Sequence, residues 1–436
     1  MTVGFDILSV SNFYHLYWVG TISIMYSRSH QLASYCVVAY FLFFHLAIAS
    51  AYEQLPTVHL TNILSPKLAQ SVYHRVDDVE VSGRSFLFRM DSDYGVYNIR
   101  SLVLLRIRVN EIATLGHAIN QFDRHDEIFS NELRGQLRIN AESAIDIITS
   151  PVSSATNLAG QIATNLNDAL ISTPEATPVK AFSYTGGQSV DPVTAMHKRN
   201  IASQWGLDVY STNPKVQEFL NAVAKARSSG HITAGAPQIG GKSGVSTNVT
   251  NRTAEAEILF LLKSKNELEL DVINDNKLAG MNIRKDIRDE FIQHPFFSPT
   301  HKTRITHYLG LLEGVRNRSA FIQAVTEVED EQQALAYQES VMMLLYYHQK
   351  IGPLLKLHAG KDVLQVIAQG NRMLYFAPVD IIFWSQSTEH LFDTLLNSIS
   401  NAGFNGWELI TPGILTKEAR AQLEQRRFIL REKFVQ

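Results

Sequence analysis

The residues with the clearest capacity for chemistry lie in one short polar segment between two apolar patterns. The segment reads Leu207-Asp-Val-Tyr-Ser-Thr-Asn-Pro214 and supplies a carboxylate, a phenol, two hydroxyls and an amide. Such groups hydrogen-bond polar ligands, and binding residues are common on loops that a rigid scaffold positions. The segment is therefore a candidate ligand-binding loop, made of Asp208, Tyr210, Ser211, Thr212 and Asn213.

The same segment also has a purely structural interpretation. Asn213 followed by Pro214 is typical of a helix N-cap and first helical position. The helix that follows has an apolar face formed by Val216, Phe219, Leu220 and Val223. A capped turn of this kind sets the angle between two helices, the first of which opens at Asp191-Pro192 and ends near Gly206. We favour this interpretation and keep the ligand-binding loop as the alternative.

Other chemical motifs are incomplete. Residues 236–243 approximate a phosphate-binding loop, but the required buried strand and following helix are missing from the pattern. His301 and His307 are six residues apart, a spacing that rotates the second side chain by about 240° around a helix axis, so the two imidazoles diverge. Asn274 resembles the start of a calcium loop, yet Leu278 occupies a position that needs an oxygen ligand. We therefore predict no cofactor, no metal site and no catalytic residue, and an enzyme is the less favoured class.

An apolar segment at residues 35–51 indicates export. Arg28 precedes it in a stretch without acidic residues, and Ala49 and Ala51 end two Ala-x-Ala cleavage sites. This order of basic, apolar and small residues is typical of an export signal. One explanation for the 24 residues before Met25 is that synthesis begins at Met25, which would place Arg28 at the basic end of the signal. The alternative is an inner-membrane anchor through residues 32–51. We predict a periplasmic or secreted mature chain.

Composition restricts the partners of the mature chain. Removing residues 1–51 takes one base, Arg28, and one acid, Asp6, from totals of 39 and 42, so the net charge stays at -3. This balance gives no electrostatic basis for binding nucleic acid. Cys36, the only cysteine, leaves with the signal, which excludes disulfides and thiolate sites from the mature chain. A cysteine-free exported chain suits a bacterial envelope protein.

The sequence pattern predicts a predominantly helical α+β protein with a β-rich N-terminal segment and a small C-terminal α/β module. Alternating Phe86, Phe88 and Met90 indicate a strand, and Arg108 and Glu111 can pair at i,i+3 on a helix. The predicted division is a β-hairpin with amphipathic helices at 52–171, a linker at 172–190, a helical region at 191–352 with a Gly/Ser-rich connection at 230–253, and the α/β module at 353–436.

Local signals within the C-terminal module are specific. Gly370-Asn371 predicts a tight hairpin, and Thr416 predicts the N-cap of a helix that runs through Gln425. Strands are predicted at 354–358, 363–368, 372–376, 379–384, 407–410 and 428–434.

A helix pattern at 147–170 carries no charge between Asp146 and Asp168, and Leu158, Ile162 and Leu166 form an apolar stripe along it. Such a helix is a candidate for peripheral membrane contact. Interfacial helices usually carry Lys and Arg on their polar face, so packing within the protein is the favoured interpretation.

The segment Gly206–Ala226 resembles a family of uncharacterised exported bacterial proteins that carry a Val-Asp-Pro-Tyr-Ser-Thr-Asn-Pro-like motif. Val209 stands where that motif has proline. The Gly95–Ile112 segment, with Arg108 and Glu111, is also similar to that family, and so is the ending from Asp380 through Pro412-Gly413 to the Thr416 helix. The resemblance implies a bacterial envelope location and no particular activity.

The sequence therefore favours a non-enzymatic envelope or secreted protein that acts through contacts with an envelope protein or a membrane surface. The alternative function is a periplasmic hydrolase acting on an envelope polymer. A cleft that joins two carboxylates of shifted pKa would favour the hydrolase.

Overall fold

The computed structural model of the chain describes residues 52–124, 126–139, 191–230, 252–358, 363–399 and 403–434. Helices and sheets both occur among them, so the protein is of the mixed α+β class, as predicted. Leu55–Gln436 forms one compact unit. The predicted export segment, the helix pattern at 147–170, the linker at 172–190 and nearly all of the 230–253 connection lie outside the described residues.

A three-stranded antiparallel sheet lies near the beginning of the described chain. Its strands, in spatial order, are β1 (His74–Ser82), β2 (Ser85–Ser92) and β3 (Gly95–Arg100). Phe86, Phe88 and Met90 alternate along β2 and are buried, because successive side chains of a strand point to opposite faces. Two short helices precede the sheet, α1 (Leu60–Ile63) and α2 (Pro66–Ala69).

Four longer helices share one apolar core with this sheet, and the first of them packs directly on its three strands. They are α3 (Leu102–Asp123), α4 (Glu127–Ile139), α5 (Pro192–Trp205) and α6 (Pro214–Ser228). Asp191 and Asn213 cap α5 and α6 through their side chains, each with proline at the first position, which confirms both predicted helix starts. Gly206 ends α5 in the left-handed conformation, with φ +67°, and thereby turns the chain into the polar segment before α6.

A second group of helices follows. It consists of α7 (Arg252–Ser264), α8 (Glu267–Gly280), α9 (Lys285–Gln293), α10 (Pro299–Gly310), α11 (Arg318–Val325) and α12 (Glu331–Lys350). Their apolar side chains share one core with a face of the C-terminal sheet. α10 is unusual because its polar residues are buried together with its apolar ones.

The C-terminal sheet has five strands in the order β10-β8-β6-β5-β4. These are β4 (Leu354–His358), β5 (Leu364–Ala368), β6 (Arg372–Phe376), β8 (Gly406–Ile410) and β10 (Phe428–Arg431). A two-stranded sheet pairs β7 (Ile381–Ile382) with β9 (Ile414–Leu415). Helices α13 (Gln386–Ile399) and α14 (Lys417–Gln425) pack on the sheet face opposite the second helical group.

The predicted hairpin and helix cap of this module are confirmed, while two predicted strands are too long. Gly370 and Asn371 both have positive φ between antiparallel β5 and β6, and Thr416 caps α14. The strand predicted at 379–384 is reduced to β7, because its only partner is the two-residue β9. The strand predicted at 428–434 ends at Arg431, because Lys433 takes a left-handed conformation with φ +50°.

Asp380 links the C-terminal segment to the N-terminal sheet. Its buried carboxylate accepts hydrogen bonds from the backbone N–H of Phe86 at 2.9 Å and of Leu102 at 3.1 Å. Burial raises the pKa of Asp380 to about 6, although both hydrogen bonds oppose the rise. Because one carboxylate satisfies two backbone donors from distant segments, it fixes how β2 and α3 meet the chain before β7.

Within the described residues, no helix is both long and apolar enough to cross a lipid bilayer.

Candidate functional site

A cavity of about 820 Å³ lies between α3, α5, α7, α10 and α12. Its volume falls within the range of pockets that hold small organic ligands. One part of the wall is apolar, formed by Leu104, Ile107, Leu259, Leu262, Met342 and Met343. The remaining wall carries charged and hydroxyl side chains. The cavity therefore combines an apolar surface with many charged and hydrogen-bonding groups.

The predicted ligand-binding loop lies at this cavity. Asp208, Tyr210, Ser211 and Thr212 line it, while Asn213 is fully buried behind them and caps α6. The capped turn and the cavity wall are thus formed by the same residues. The structure confirms the capped turn, and because four of the loop residues also line a cavity, ligand binding stays a proposal.

A buried arginine of α3 holds this loop against two other elements. Arg108 donates to Glu111 at 3.0 Å, to Glu331 at the start of α12 at 3.3 Å, and to the hydroxyl of Thr212 at 2.6 Å. The Arg108 and Glu111 side chains are 7% and 5% exposed, so the i,i+3 pair predicted from sequence is a buried ion pair. Buried charges require partners, and the guanidinium of Arg108 is the positively charged partner of both the Glu111 and the Glu331 carboxylate.

The two carboxylates in turn bind the loop. Glu111 accepts hydrogen bonds from the Ser211 hydroxyl and, at 3.1 Å, from the Asn213 amide. Glu331 accepts one from the Thr212 hydroxyl. The loop, α3 and α12 therefore form one hydrogen-bonded unit on one side of the cavity.

Asp208 joins the loop to α10. Its carboxylate accepts hydrogen bonds from the Tyr210 N–H at 2.9 Å and from the Thr300 hydroxyl at 2.7 Å. Burial raises the pKa of Asp208, against the opposing effect of these bonds and of the positive charge of Arg304. No ion pair of Asp208 occurs among the described residues.

Arg304 and His301 of α10 line the same cavity. The Arg304 side chain is 2% exposed; it donates to Glu255 of α7, which also accepts the Tyr308 hydroxyl at 2.7 Å. The Nε and Nη1 atoms of Arg304 have no partner among the residues that the structure describes. Burial and the positive charges of Arg304 and Arg108 lower the pKa of His301 to about 3, so this imidazole is neutral at physiological pH.

Glu339 of α12 is a further titratable group in the cavity wall. Burial and the neighbouring carboxylate of Asp380 raise the pKa of Glu339 to about 8, with Arg106 opposing the rise. At neutral pH most Glu339 side chains therefore hold a proton. A carboxylic acid that keeps its proton at pH 7 can donate a hydrogen bond or act as a general acid.

The histidines of α10 point to different cavities, as their spacing predicts. His307 lines a second cavity of about 560 Å³, where its Nδ1 lies 3.2 Å from Lys277 Nζ. Asn274, the first residue of the rejected calcium loop, is buried in α8 and donates to the Thr303 hydroxyl at 3.1 Å. In the described part of the chain, no group of three His, Cys, Asp or Glu side chains could hold a metal ion. The phosphate-loop motif at 236–243 lies outside that part.

The sequence pattern did not identify Arg199, Arg304, Glu331 and Glu339 as residues of this site, and it brought His301 to attention only as a candidate metal ligand. The only sequence signal is an excess of polar residues in a helix that the surrounding apolar pattern would bury, from His301 to Arg304. That signal identifies an unusual helix but not the cavity that it lines.

Comparison of the chain with protein-family models, curated proteins and solved structures found no match. The functional argument therefore depends on the geometry of this chain alone.

We predict that Arg108→Leu destabilises the protein by about 3–5 kcal/mol, because it leaves Glu111 and Glu331 buried without their cation. Urea unfolding followed by circular dichroism measures the loss. Arg284→Leu is the matched control, since Arg284 pairs with Asp286 on the surface, and it should cost less than about 1 kcal/mol. Equal losses in the two variants would contradict the proposed role of the buried pair.

Proposed function

We propose that this protein is an exported, non-enzymatic binding protein that takes up a small organic molecule in the cavity between α3, α5, α7, α10 and α12. The observation that carries the proposal is the cavity itself, which is about 820 Å³ in volume and combines an apolar wall with convergent polar groups. The network around Arg108 supports the proposal further, because it holds the lining loop in place before any ligand arrives.

A neutral fluorescent probe tests the binding proposal. Nile red should bind the purified protein with a blue-shifted emission, and Ala113→Trp should weaken that binding by about fivefold or more because the indole occupies cavity space. Thr114→Trp is the matched control, since Thr114 is the next residue of α3, is similarly half-buried, and does not line the cavity. Equal affinities of the two variants would refute the proposal.

Hydrolysis of an envelope polymer is the second candidate function. Asp208 and Glu339 support it, because both carboxyl groups have raised pKa values and both line one cavity. Glu339, with a pKa of about 8, would be protonated at neutral pH, as a general acid must be.

If the protein is a hydrolase, release of soluble fragments from dye-labelled bacterial cell wall should fall as the pH rises through about 8, where Glu339 loses its proton. Glu339→Gln should reduce the rate by about 10²-fold or more, because the amide cannot donate the proton. Glu329→Gln, at an exposed position before α12, should leave the rate unchanged. Absence of fragment release by the wild type would reject the hydrolase and leave the binding protein.

We also propose export to the bacterial periplasm or beyond, which the pattern of residues 1–51 and the family resemblance of Gly206–Ala226 support. Expression in a bacterium, fractionation and mass spectrometry of the N-terminus should find mature chain that begins at Ser50 or Tyr52. Full-length chain in the membrane fraction would favour the anchor at residues 32–51 instead. An unprocessed chain in the cytosol would refute export.

We further propose that the chain is organised as a β-rich N-terminal segment, a helical region and a small C-terminal α/β module. The sheet of β1 to β3 and the five-stranded sheet between Leu354 and Arg431 support this organisation. Contact with a membrane surface through residues 147–170, or with an envelope protein, remains part of the proposed function, supported by the uncharged amphipathic pattern of that segment.

A further inference from the structure

The charged side chains of the large cavity are unequal in number. Six lining residues are basic, namely Lys67, Arg106, Arg108, Arg199, Lys263 and Arg304. Four are acidic, namely Glu111, Asp208, Glu331 and Glu339. Glu339 is mostly protonated at neutral pH, so the cavity wall carries a clear excess of positive charge. The pKa of His301 agrees with this excess of positive charge, because the charges of Arg304 and Arg108 lower it in addition to burial.

The acidic residues do not compensate all of this charge. Glu111 and Glu331 both bind Arg108, at 3.0 and 3.3 Å, and are thereby committed to one cation. Asp208 is bound by the Thr300 hydroxyl and the Tyr210 N–H rather than by a cation. Arg304 pairs with Glu255, which lies outside the cavity wall, whereas Lys67, Arg106, Arg199 and Lys263 form no ion pair with a carboxylate among the described residues.

Two arginines in particular have unused hydrogen-bonding capacity. Arg304 is almost wholly buried, and among the described residues its Nη2 has a partner, Glu255, which does not line the cavity, while its Nε and Nη1 have none. Arg199 of α5 is half-buried, its Nε atom is buried without a partner, and no ion pair of Arg199 occurs among the described residues. These three nitrogen atoms have almost no accessible surface, so an anion in the cavity would meet the two arginines through their positive charge and through the Nη atoms of Arg199, which are not buried.

The apolar part of the wall determines the rest of the ligand. Leu259 and Leu262 lie on α7, the helix that packs against both α5 and α10, and Met342 and Met343 contribute from α12. A purely inorganic anion would leave this surface uncovered. An apolar body attached to the anionic group would remove this surface from water and thereby strengthen binding.

We propose that the cavity binds an amphiphilic organic anion, whose carboxylate or phosphate group is held by Arg199 and Arg304 and whose apolar body packs against the α7 and α12 side chains. The inference rests on the proposed binding function and names the class of ligand for the same site. Arginine suits this role because its planar guanidinium donates two parallel hydrogen bonds to either kind of oxyanion.

Three probes with the same alkyl chain test this inference, namely octanoate, octyl phosphate and octanol. Isothermal titration calorimetry at pH 7 should give affinities for at least one of the two anions about tenfold or more above that for octanol. Octanoate and octyl phosphate then distinguish a carboxylate ligand from a phosphate ligand. Comparable affinity for octanol and both anions would overturn the inference while leaving the binding function intact.

A variant and its control assign the effect to the cavity arginines. Arg199→Gln should remove about tenfold of the affinity for the preferred anion and leave octanol binding unchanged. Arg227→Gln is the matched control, because Arg227 also has a buried Nε without a partner but lies on α6 outside the cavity wall. Equal anion affinity in wild type and Arg199→Gln would overturn the inference.

The binding function and the class of ligand can be refuted separately. If Nile red binds but neither anion binds more tightly than octanol, the ligand class is wrong and the cavity still binds small molecules. If neither Nile red nor any of the three alkyl probes binds, the proposed function itself is wrong and the inference falls with it.

Discussion

The buried guanidinium of Arg108 is the interaction on which the arrangement of the cavity depends. A charge that leaves water must be paired, and Arg108 meets this requirement with carboxylates from two separate helices, Glu111 and Glu331. Those carboxylates still have free acceptor positions, which the hydroxyls of Ser211 and Thr212 fill. One desolvated cation thus holds α3, α12 and the polar loop in a single geometry, and the cavity wall is a consequence of that geometry.

Helix α10 presents the opposite situation, because its polar residues are buried with incomplete compensation. Thr303 bonds Asn274 and Arg304 bonds Glu255, so part of the helix is satisfied by packing against α7 and α8. Two nitrogen atoms of Arg304 nevertheless have no partner in the described part of the chain, and the low pKa of His301 keeps this neighbouring imidazole neutral at physiological pH. Unsatisfied buried donors destabilise a fold, so α10 carries a cost that its packing against α7 and α8 does not remove.

The packing cores cross the divisions that composition indicates along the chain. Trp205 and Phe219, from the predicted helical region, pack with the N-terminal sheet, whereas Ile258 and Phe321 pack with the C-terminal sheet. Asp380 adds a polar link across these divisions, because its carboxylate, in the C-terminal segment, accepts hydrogen bonds from the backbone of β2 and α3. Periodicity identifies which face of an element is apolar. It does not identify the element that packs against that face, because many elements have a similar apolar face.

What the sequence determined by itself is local. The caps at Asp191, Asn213 and Thr416 and the Gly370-Asn371 hairpin follow from hydrogen bonds and dihedral preferences that act within a few residues. The tertiary structure alone decided that Arg108 meets Glu331, 223 residues away, and that Arg304, His301 and Glu339 face one cavity. The physical reason is that desolvation, which shifts the pKa of these groups and makes their pairing matter, depends on surfaces brought together by the whole chain.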